Sequence, residues 1–274
     1  MARHLASAGH TMTVYNRTRA KADAWVTAHG GTAAGSPAEA ARGADAVITC
    51  VGNDDDLAAV TLSRDGAFRA MSKGSLFIDH TTVSAKIARQ LAVEAKDVGI
   101  RPIDAPVTGG QIGAENGTLT LMCGGKGPAI EAATPIMSAY AKKIVHVGPT
   151  GHGQLTKMVN QISFSGIIQS LAEALRFAQA AELDLEKVFE SISGGAASSW
   201  QMLNRWETMA KDEFDFGFAV DWMRKDLGLA FEEARSNGAT LPVAALIDQF
   251  YAEVQAMGGG RNDTSALVRR LKEQ

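Results

Sequence analysis

Residues 46–62 have the sequence AVITCVGNDDDLAAVTL. The first six residues are apolar or small, which is typical of a strand covered on both faces, and the three aspartates are typical of a helix start. The same alternation of short apolar runs and helix-length segments extends through the first half of the chain. It predicts strands at Thr11–Asn16, Ala46–Val51, Leu76–Asp79, Arg101–Ala105, Leu119–Cys123 and Lys143–Val147, with helices at Thr18–His29, Ser84–Val98 and Pro128–Tyr140. This pattern favours a doubly wound, mostly parallel α/β sheet.

The second half of the chain has a different pattern. No strand is predicted beyond Gly153, and apolar residues recur every three or four positions across Gln154–Glu182, which predicts one long helix. Further helices are predicted at Leu185–Ser193, Ser199–Lys211, Val220–Ser236, Val243–Met257 and Thr264–Lys272. We therefore expect an α/β domain at residues 1–150 and an all-helical domain at residues 151–274.

Composition excludes several classes of protein. The 274 residues include 27 basic and 30 acidic side chains, a net charge of −3 that argues against nucleic-acid or anionic-membrane partners. The most apolar stretch, Gln161–Ala180, carries charged residues, which excludes a membrane span. The two cysteines, Cys50 and Cys123, form no disulfide framework, and Met1–His10 has no apolar signal region. We expect a reduced, cytoplasmic protein, and the spacing of its six histidines predicts no metal site.

The first candidate site follows the strand predicted at Thr11–Asn16. In a dinucleotide-binding sheet, an acidic residue at this strand end binds the ribose 2′-hydroxyl, whereas an arginine nearby accommodates a 2′-phosphate. This chain has Asn16, Arg17 and Thr18 there, with Lys21 one helical turn further on. The pattern is compatible with a preference for NADP(H) over NAD(H), and equally with a solvated arginine at a helix start.

The second candidate site lies at the start of the long helix. Lys157, Asn160 and Gln161 are spaced so that their polar groups share one helical face. Gly153 lies one turn earlier and leaves room for a ligand to approach the backbone. The pattern is compatible with a catalytic lysine and equally with an exposed polar stripe on the helix surface.

The third candidate site is the segment Asp104–Gly110, which follows a strand at the edge where ligands of parallel sheets gather. Gly109 and Gly110 allow successive backbone N–H groups to converge on an anion, and the Thr108 hydroxyl adds a donor. A carboxylate would suit this arrangement. The alternative is a turn that uses proline and glycine for its geometry alone.

These segments, in this order, resemble the β-hydroxyacid dehydrogenase family, which includes 3-hydroxyisobutyrate dehydrogenases, tartronate semialdehyde reductases and glyoxylate/succinic semialdehyde reductases. The resemblance covers essentially the whole chain and implies a Rossmann-type sheet followed by a helical domain. It rests on residues 8–18, 50–53, 79–82, 104–110, 113–119, 151–160 and 225–227.

The resemblance also implies roles for individual residues. Lys157 matches the family's catalytic lysine, which would act as the general acid and base. Substrate carboxylate and hydroxyl would be held at the positions of Thr108, Gly109, Gly110 and Asn160. The cofactor, NADP or alternatively NAD, would be contacted by Asn16, Arg17, Thr18, Val51, Gly52, Thr82 and Lys225. Ser198 and Trp200 fall in a segment that lines the substrate pocket of relatives.

The implied activity is hydride transfer between NADP(H) and a small semialdehyde or β-hydroxyacid bearing a carboxylate. An NAD-dependent 3-hydroxyisobutyrate dehydrogenase is the nearest alternative, and a catalytically silent oligomeric relative is the alternative from another class. The long helix and the helical domain lead us to expect a homo-oligomer.

The start of the chain departs from the family pattern. Met1-Ala2 matches a Met-Ala near the start of the family's first helix, after the Gly-x-Gly-x-x-Gly loop that ends the first strand. We therefore expect this chain to lack that strand and loop. Since the first strand is central in the order 3-2-1-4-5-6, the sheet should be open in its middle.

Overall fold

Strands alternate with helices as far as residue 148 of the computed structural model, which describes residues 1–271. The strands are β1 (Thr13–Val14), β2 (Thr32–Ala33), β3 (Ala46–Thr49), β4 (Leu76–Asp79), β5 (Arg101–Asp104), β6 (Val107–Thr108), β7 (Leu119–Gly125) and β8 (Ala141–Gly148). The helices among them are α1 (Ala2–Ser7), α2 (Arg19–His29), α3 (Pro37–Ala41), α4 (Asp54–Leu62), α5 (Ala85–Asp97), α6 (Gly110–Asn116) and α7 (Gly127–Met137). A short 3₁₀ helix spans Ala67–Arg69.

Helices follow β8 without a further named strand in the described residues. They are α8 (His152–Ala180), α9 (Leu185–Ile192), α10 (Trp200–Ala210), α11 (Val220–Asn237) and α12 (Pro242–Ala256), with a 3₁₀ helix at Thr264–Leu271. The chain divides into two compact units, residues 1–157 and the residues from Met158 onward. Within residues 1–271, no helix has both the length and the apolar character needed to cross a bilayer.

The main sheet of the first unit has six strands. β3, β4 and β5 pair in parallel, β7 is antiparallel to β5 and β6, and β8 is parallel to β7. Side chains of β4 alternate between two separate cores, as expected for a strand covered on both faces. Leu76 and Ile78 face the core that contains α7, whereas Phe77 faces the core that contains α5. The predicted doubly wound fold is confirmed.

Strands β1 and β2 form a second, parallel sheet of two strands, separate from the six-stranded one. Among the described strands, β1 pairs with β2 and β3 pairs with β4, and no ladder joins β1 to β3. No hydrogen-bonded ladder in the described residues therefore connects the two-stranded sheet to the six-stranded one. Leu5 of α1 is buried in the same core as Ile78 and Ile103, so α1 packs on the six-stranded sheet.

The second unit has its own core. Apolar residues of α8, α10, α11, α12 and the final 3₁₀ helix share one buried cluster that includes Leu175, Trp206, Leu227, Tyr251 and Leu267. Its last segment was predicted as an α-helix at Thr264–Lys272. It is a 3₁₀ helix, and the last predicted residue, Lys272, lies outside the described residues. Asp263 caps it by accepting a hydrogen bond from the Ser265 amide at 3.1 Å.

Candidate active site

Asn16, Arg17 and Thr18 lie where β1 ends and α2 begins. The Asn16 Oδ1 atom accepts a hydrogen bond from the Thr18 amide at 2.9 Å, which closes a local turn before the helix. The Arg17 side chain is 87% exposed and meets the Asp56 carboxylate of α4 at 3.3 Å. An exposed pair of this kind contributes about 1 kcal/mol or less, so a phosphate can compete for the guanidinium. No carboxylate occupies position 16 or 17 to bind a 2′-hydroxyl.

The carboxyl ends of β3 and β4 are joined by a small buried network. Asp79 Oδ1 accepts hydrogen bonds from the Thr49 hydroxyl at 2.7 Å and from the Thr81 hydroxyl at 2.6 Å. The Thr81 hydroxyl in turn accepts the Val51 amide at 3.1 Å. This network fixes the loop Val51–Gly52, which was predicted to contact the cofactor. Asn53 caps α4, and the aspartates Asp54–Asp56 lie in its first turn.

Gln154, in the first turn of α8, holds the segment on either side of Thr82. Its amide nitrogen donates to the Thr81 carbonyl at 2.8 Å, and its amide oxygen accepts the Val83 amide at 3.1 Å. The Gln154 side chain is fully buried and so replaces the solvent that these backbone groups would otherwise need. The helix that bears Lys157 is thereby attached to the end of β4, and Thr82 lies between the two bonded residues.

The segment predicted as an anion-binding turn begins as a strand. β5 and β6 pair with β7 in one continuous antiparallel register, from Ile103 opposite Gly125 to Thr108 opposite Thr120. Because β4 aligns with β5 only as far as Asp79, β6 carries Thr108 beyond the carboxyl edge of the parallel strands. Gly109 and Gly110 then adopt positive φ angles of 122° and 63° and start α6. Amides in a first helical turn have no intrahelical carbonyl partner.

The start of α8 packs directly on the sheet, which corrects one expectation. Asp104 Oδ1 accepts the Gly151 amide at 2.7 Å, and its Oδ2 accepts the Gln154 amide at 3.1 Å. A Cβ on Gly153 would lie 2.4 Å from the Met122 carbonyl oxygen and 2.7 Å from Asp104 Oδ2. The prediction that Gly153 leaves room for a ligand was therefore wrong: the protein's own backbone and a carboxylate occupy that space.

In the second unit, hydrogen bonds connect two more of the predicted residues. The Asn160 amide donates to Gln161 Oε1 at 2.8 Å, and Gln161 Nε2 donates to Asp226 Oδ2 at 2.6 Å. Lys225 Nζ lies 3.0 Å from the other Asp226 oxygen. Since Asp226 is 2% exposed, its carboxylate is buried between Gln161 and Lys225. Asn160 and Lys225 thus belong to one polar chain.

The segment containing Ser198 and Trp200 leads into α10. Ser199 caps this helix through its hydroxyl, which accepts the Met202 amide at 3.0 Å. The Trp200 ring is half exposed, and the guanidinium of Arg205 lies 5.0 Å from its centroid. Arg205 is anchored in turn by Asp263, 3.0 Å from its Nε atom. Trp200 therefore presents an apolar surface that a buried ion pair holds in place.

Four residues position these groups through hydrogen bonds that the sequence did not predict. Asp104 and Gln154 hold the start of α8, and Gln161 and Asp226 link Asn160 to Lys225. In the sequence, the signal that could have identified these residues is a polar side chain within an otherwise apolar strand or helix face. Across the part of the chain that the structure describes, no group of three or more His, Cys, Asp or Glu side chains could hold a metal ion.

Family models match both parts of the chain. Residues 1–148 match the NAD binding domain of 6-phosphogluconate dehydrogenase. Residues 151–271 match the NAD-binding domain of NADP-dependent 3-hydroxyisobutyrate dehydrogenase. NAD(P)-binding domains are therefore present.

Whole-chain relatives agree with these matches. An uncharacterized oxidoreductase of Shewanella frigidimarina is 56% identical over 273 residues, covering 100% of this chain and 94% of the relative. The NAD-dependent L-serine dehydrogenase of Pseudomonas aeruginosa is 31% identical and covers 97% and 92%. The solved structure of Mycobacterium tuberculosis 3-hydroxyisobutyrate dehydrogenase with L-serine has a TM-score of 0.88 at 30% identity, covering 99% and 94%. The chain belongs to the β-hydroxyacid dehydrogenase family and is an NAD(P)-dependent dehydrogenase.

Proposed function

We propose that the chain transfers hydride between NADP(H) and a small β-hydroxyacid or its semialdehyde, with Lys157 as general acid and base. The observation that carries this proposal is the attachment of α8 to the sheet. Gln154 donates a hydrogen bond to the loop after β4, and Asp104, at the end of β5, accepts the Gln154 amide in the first turn of the same helix. Lys157 therefore stands on a helix that starts at the edge where Thr82 and Thr108 also lie.

The bound cofactor supplies or accepts the hydride. In the reduction, the Lys157 ammonium group would donate a hydrogen bond to the carbonyl oxygen, where negative charge accumulates, and then transfer a proton to it. In the oxidation, the neutral Lys157 amine would remove the hydroxyl proton. Asn160 would orient the substrate hydroxyl, because an amide can hydrogen-bond but exchanges no proton at neutral pH.

Thr108, Gly109 and Gly110 would hold the substrate carboxylate. A hydroxyl and first-turn amides are suitable donors for an anion. Two relatives support a substrate of this class. One is named for L-serine, and the 3-hydroxyisobutyrate dehydrogenase structure also contains L-serine. L-serine and 3-hydroxyisobutyrate are both carboxylates with a hydroxyl group on the β-carbon, so we propose a β-hydroxyacid of similar size as the substrate of this chain.

The residues between β1 and α2 fit the adenosine 2′-phosphate that distinguishes NADP from NAD. Asn16 and Arg17 offer an amide and an exposed guanidinium where an acidic residue would select NAD. Thr18, Val51, Gly52 and Thr82 would contact other parts of the cofactor at the strand ends. Lys225 would lie near the nicotinamide, as the family resemblance implies.

Arg17→Ala should reduce kcat/KM for NADPH about tenfold and leave kcat/KM for NADH within twofold, because only NADPH carries the 2′-phosphate that the guanidinium would bind. Steady-state kinetics with both cofactors measure this. Arg19→Ala is the matched control, since Arg19 is two residues away and pairs with Asp23 on the surface of α2. Equal losses with both cofactors would contradict the assignment of Arg17.

We also propose that residues 1–150 form the cofactor-binding domain and residues 151–274 a helical domain for substrate binding and self-association. Large exposed apolar side chains support the second role. Phe177 is 74% exposed, and Val243 and Leu246 are 64% and 54% exposed. Sedimentation velocity of the whole chain tests it. A homo-oligomer at micromolar concentration is expected, and a monomer would contradict it.

A substrate panel tests the proposed activity. Four aldehydes are tested for reduction: glyoxylate, succinic semialdehyde, tartronate semialdehyde and methylmalonate semialdehyde. Two hydroxyacids, 3-hydroxyisobutyrate and L-serine, are tested for oxidation, and every substrate is assayed with NADP(H) and with NAD(H). The methyl ester of each substrate is the control for carboxylate recognition. Two proteins are assayed: this chain, and a version with a strand and a Gly-x-Gly-x-x-Gly loop added before Met1. Turnover of an acid but not its ester supports the proposal. No turnover by either protein would support a catalytically silent relative.

A further inference from the structure

The carboxylate of Asp104 occupies an unusual place in the first unit. It is the last residue of β5, and the chain continues from it through Pro106 to Thr108 in one register along β7. The same side chain accepts the amide of Gly151, directly before α8, and the amide of Gln154, in the first turn of α8. Lys157 follows Gln154 by three residues on this helix. One side chain thus contacts both segments that carry the proposed chemistry.

The surroundings of Asp104 leave little freedom. The residue is 4% exposed, and both of its oxygens accept backbone hydrogen bonds. A Cβ on Gly124 would lie 2.6 Å from Asp104 Oδ1 and 2.8 Å from the Gly153 nitrogen. Glycine at positions 124 and 153 therefore allows β7, the carboxylate and the helix start to meet without intervening side chains. The contact is direct, so a displacement of the carboxylate would move the helix.

Burial raises the pKa of Asp104, and the amides of Gly151, Gln154 and Gly153 oppose that rise. A buried carboxylate is stable only where such donors surround it. A neutral apolar side chain could fill the same volume with less desolvation. The use of a carboxylate here is explained if its hydrogen bonds to the helix are themselves required.

We infer that Asp104 is a positioning residue, which fixes the start of α8 so that Lys157 keeps a set place relative to the turn at Thr108–Gly110. This inference rests on the proposed function. Asp104 acts through Lys157 and does not itself contact substrate. It also explains why Gly153 precedes Lys157 by one turn: the glycine admits the carboxylate, not a ligand.

Asp104→Asn tests the inference with almost no change in volume. An asparagine can accept only one of the two amides, and its NH₂ group would face the other donor. We expect amide hydrogen exchange at residues 150–156 to accelerate at least tenfold and kcat to fall at least tenfold, with the cofactor Kd within twofold. Asp184→Asn is the matched control. Asp184 caps α9 through Oδ1, which accepts the amides of Glu186 and Lys187, and its Oδ2 pairs with Lys187 Nζ at 3.1 Å. An asparagine keeps the capping oxygen and removes only the charge, so this variant should keep parental exchange at α9 and full kcat.

The active protein from the substrate panel, this chain or its extended form, is used for kinetics. If amide exchange in Asp104→Asn is faster but kcat stays within threefold of the parent, Asp104 does not position Lys157. If amide exchange at residues 150–156 is unchanged, Asp104 does not hold the start of α8. Asp104→Asn is also combined with Lys157→Ala and assayed in single turnovers. If Asp104 acts through Lys157, the double variant is no more than twofold slower than Lys157→Ala. A further tenfold loss would indicate a general structural role and overturn the inference.

The two proposals fail in different ways. If Lys157→Ala retains kcat within threefold of the parent, the general acid-base assignment is wrong, whatever Asp104 does. If Lys157→Ala is slow and Asp104→Asn is as fast as the parent, only the inference about Asp104 is wrong. Gly153→Ala supplies an independent variant, since its Cβ would displace the same helix turn. It should reproduce the loss of kcat with unchanged cofactor Kd, and a parental kcat would contradict the inference.

Discussion

Lys157→Ala should lower kcat about a thousandfold, or about 4 kcal/mol in the activation barrier, and change the cofactor Kd less than threefold. The loss combines the missing proton donor with the missing positive charge beside the developing oxyanion. Cofactor affinity is retained because the proposed cofactor contacts lie on other residues. Steady-state kinetics on the best substrate of the panel, with fluorescence titration of NADPH, measure the two effects separately.

Lys143→Ala is the control for removing a lysine from the first unit. Lys143 lies on β8 with an exposed side chain, so its loss should leave kcat unchanged. Small primary amines added to Lys157→Ala should restore part of the activity, because they can replace the missing acid. If kcat of Lys157→Ala stayed within threefold of the parent, about 0.65 kcal/mol, Lys157 would not be the general acid.

The second large effect concerns two buried neighbours, Asp79 and His80, whose charges respond to pH in opposite ways. Burial raises the pKa of Asp79 from 3.8 to about 6 and lowers the pKa of His80 from 6.5 to about 4. The His80 Nδ1–H group donates to the Ala105 carbonyl at 2.6 Å, so Nε2 is the acceptor for the Tyr140 hydroxyl at 2.8 Å. This neutral tautomer anchors the end of β5 to Tyr140.

The signs of the two contributions follow from proton linkage. Asp79 holds its proton more tightly when folded, so its contribution to stability is complete below pH 3.8 and is lost as the pH rises through about 6. His80 binds its proton less tightly when folded, so its contribution is present above pH 6.5 and is lost as the pH falls through about 4. Each contribution amounts to about 3 kcal/mol, and because one is lost over the pH range in which the other is gained, their pH dependences nearly cancel in the parent protein.

Asp79→Asn should remove the pH-dependent contribution of Asp79 and leave that of His80. The asparagine retains the oxygen that accepts from Thr49 and Thr81 but has no carboxylate to ionise. Relative to the parent, its stability should rise by about 2 kcal/mol between pH 4 and pH 7. Hydrogen exchange at the amides of β4, corrected for intrinsic rates, measures this free energy locally. Asp97→Asn, an exposed change at the end of α5, is the control. A difference that varied by less than about 1 kcal/mol over this range would contradict the assigned pKa of Asp79.

Sequence patterns predicted the sheet well where strands are buried on both faces. Leu76–Asp79 has the predicted bounds, because its three consecutive apolar residues, Leu76 to Ile78, must be covered by helices on both faces of the sheet. Thr32–Ala33 and Val107–Thr108 were missed as strands. Each is two residues long, and its pairing depends on a partner strand distant in sequence rather than on any local periodicity.

The candidate site was predicted in part, for a physical reason. Lys157 and Asn160 could be named because helical spacing and a family motif mark them in the sequence. The positioning roles of Asp104 and Gln154 could not be predicted, since they arise only when the end of β5 meets the start of α8. Gly153 shows the same limit. Glycine signals a close approach, but only the structure shows that the approaching group is Asp104.

The most direct test of the central claim is the transfer of a labelled hydride. The best carboxylate-bearing aldehyde of the panel is reduced with NADPH deuterated at the transferable position. The deuterium content of the product is then measured by mass spectrometry. The parent should place one deuterium on the former carbonyl carbon, and Lys157→Ala should form at least a hundredfold less labelled product in the same time. Unlabelled product, or equal labelling by the two proteins, would contradict hydride transfer assisted by Lys157.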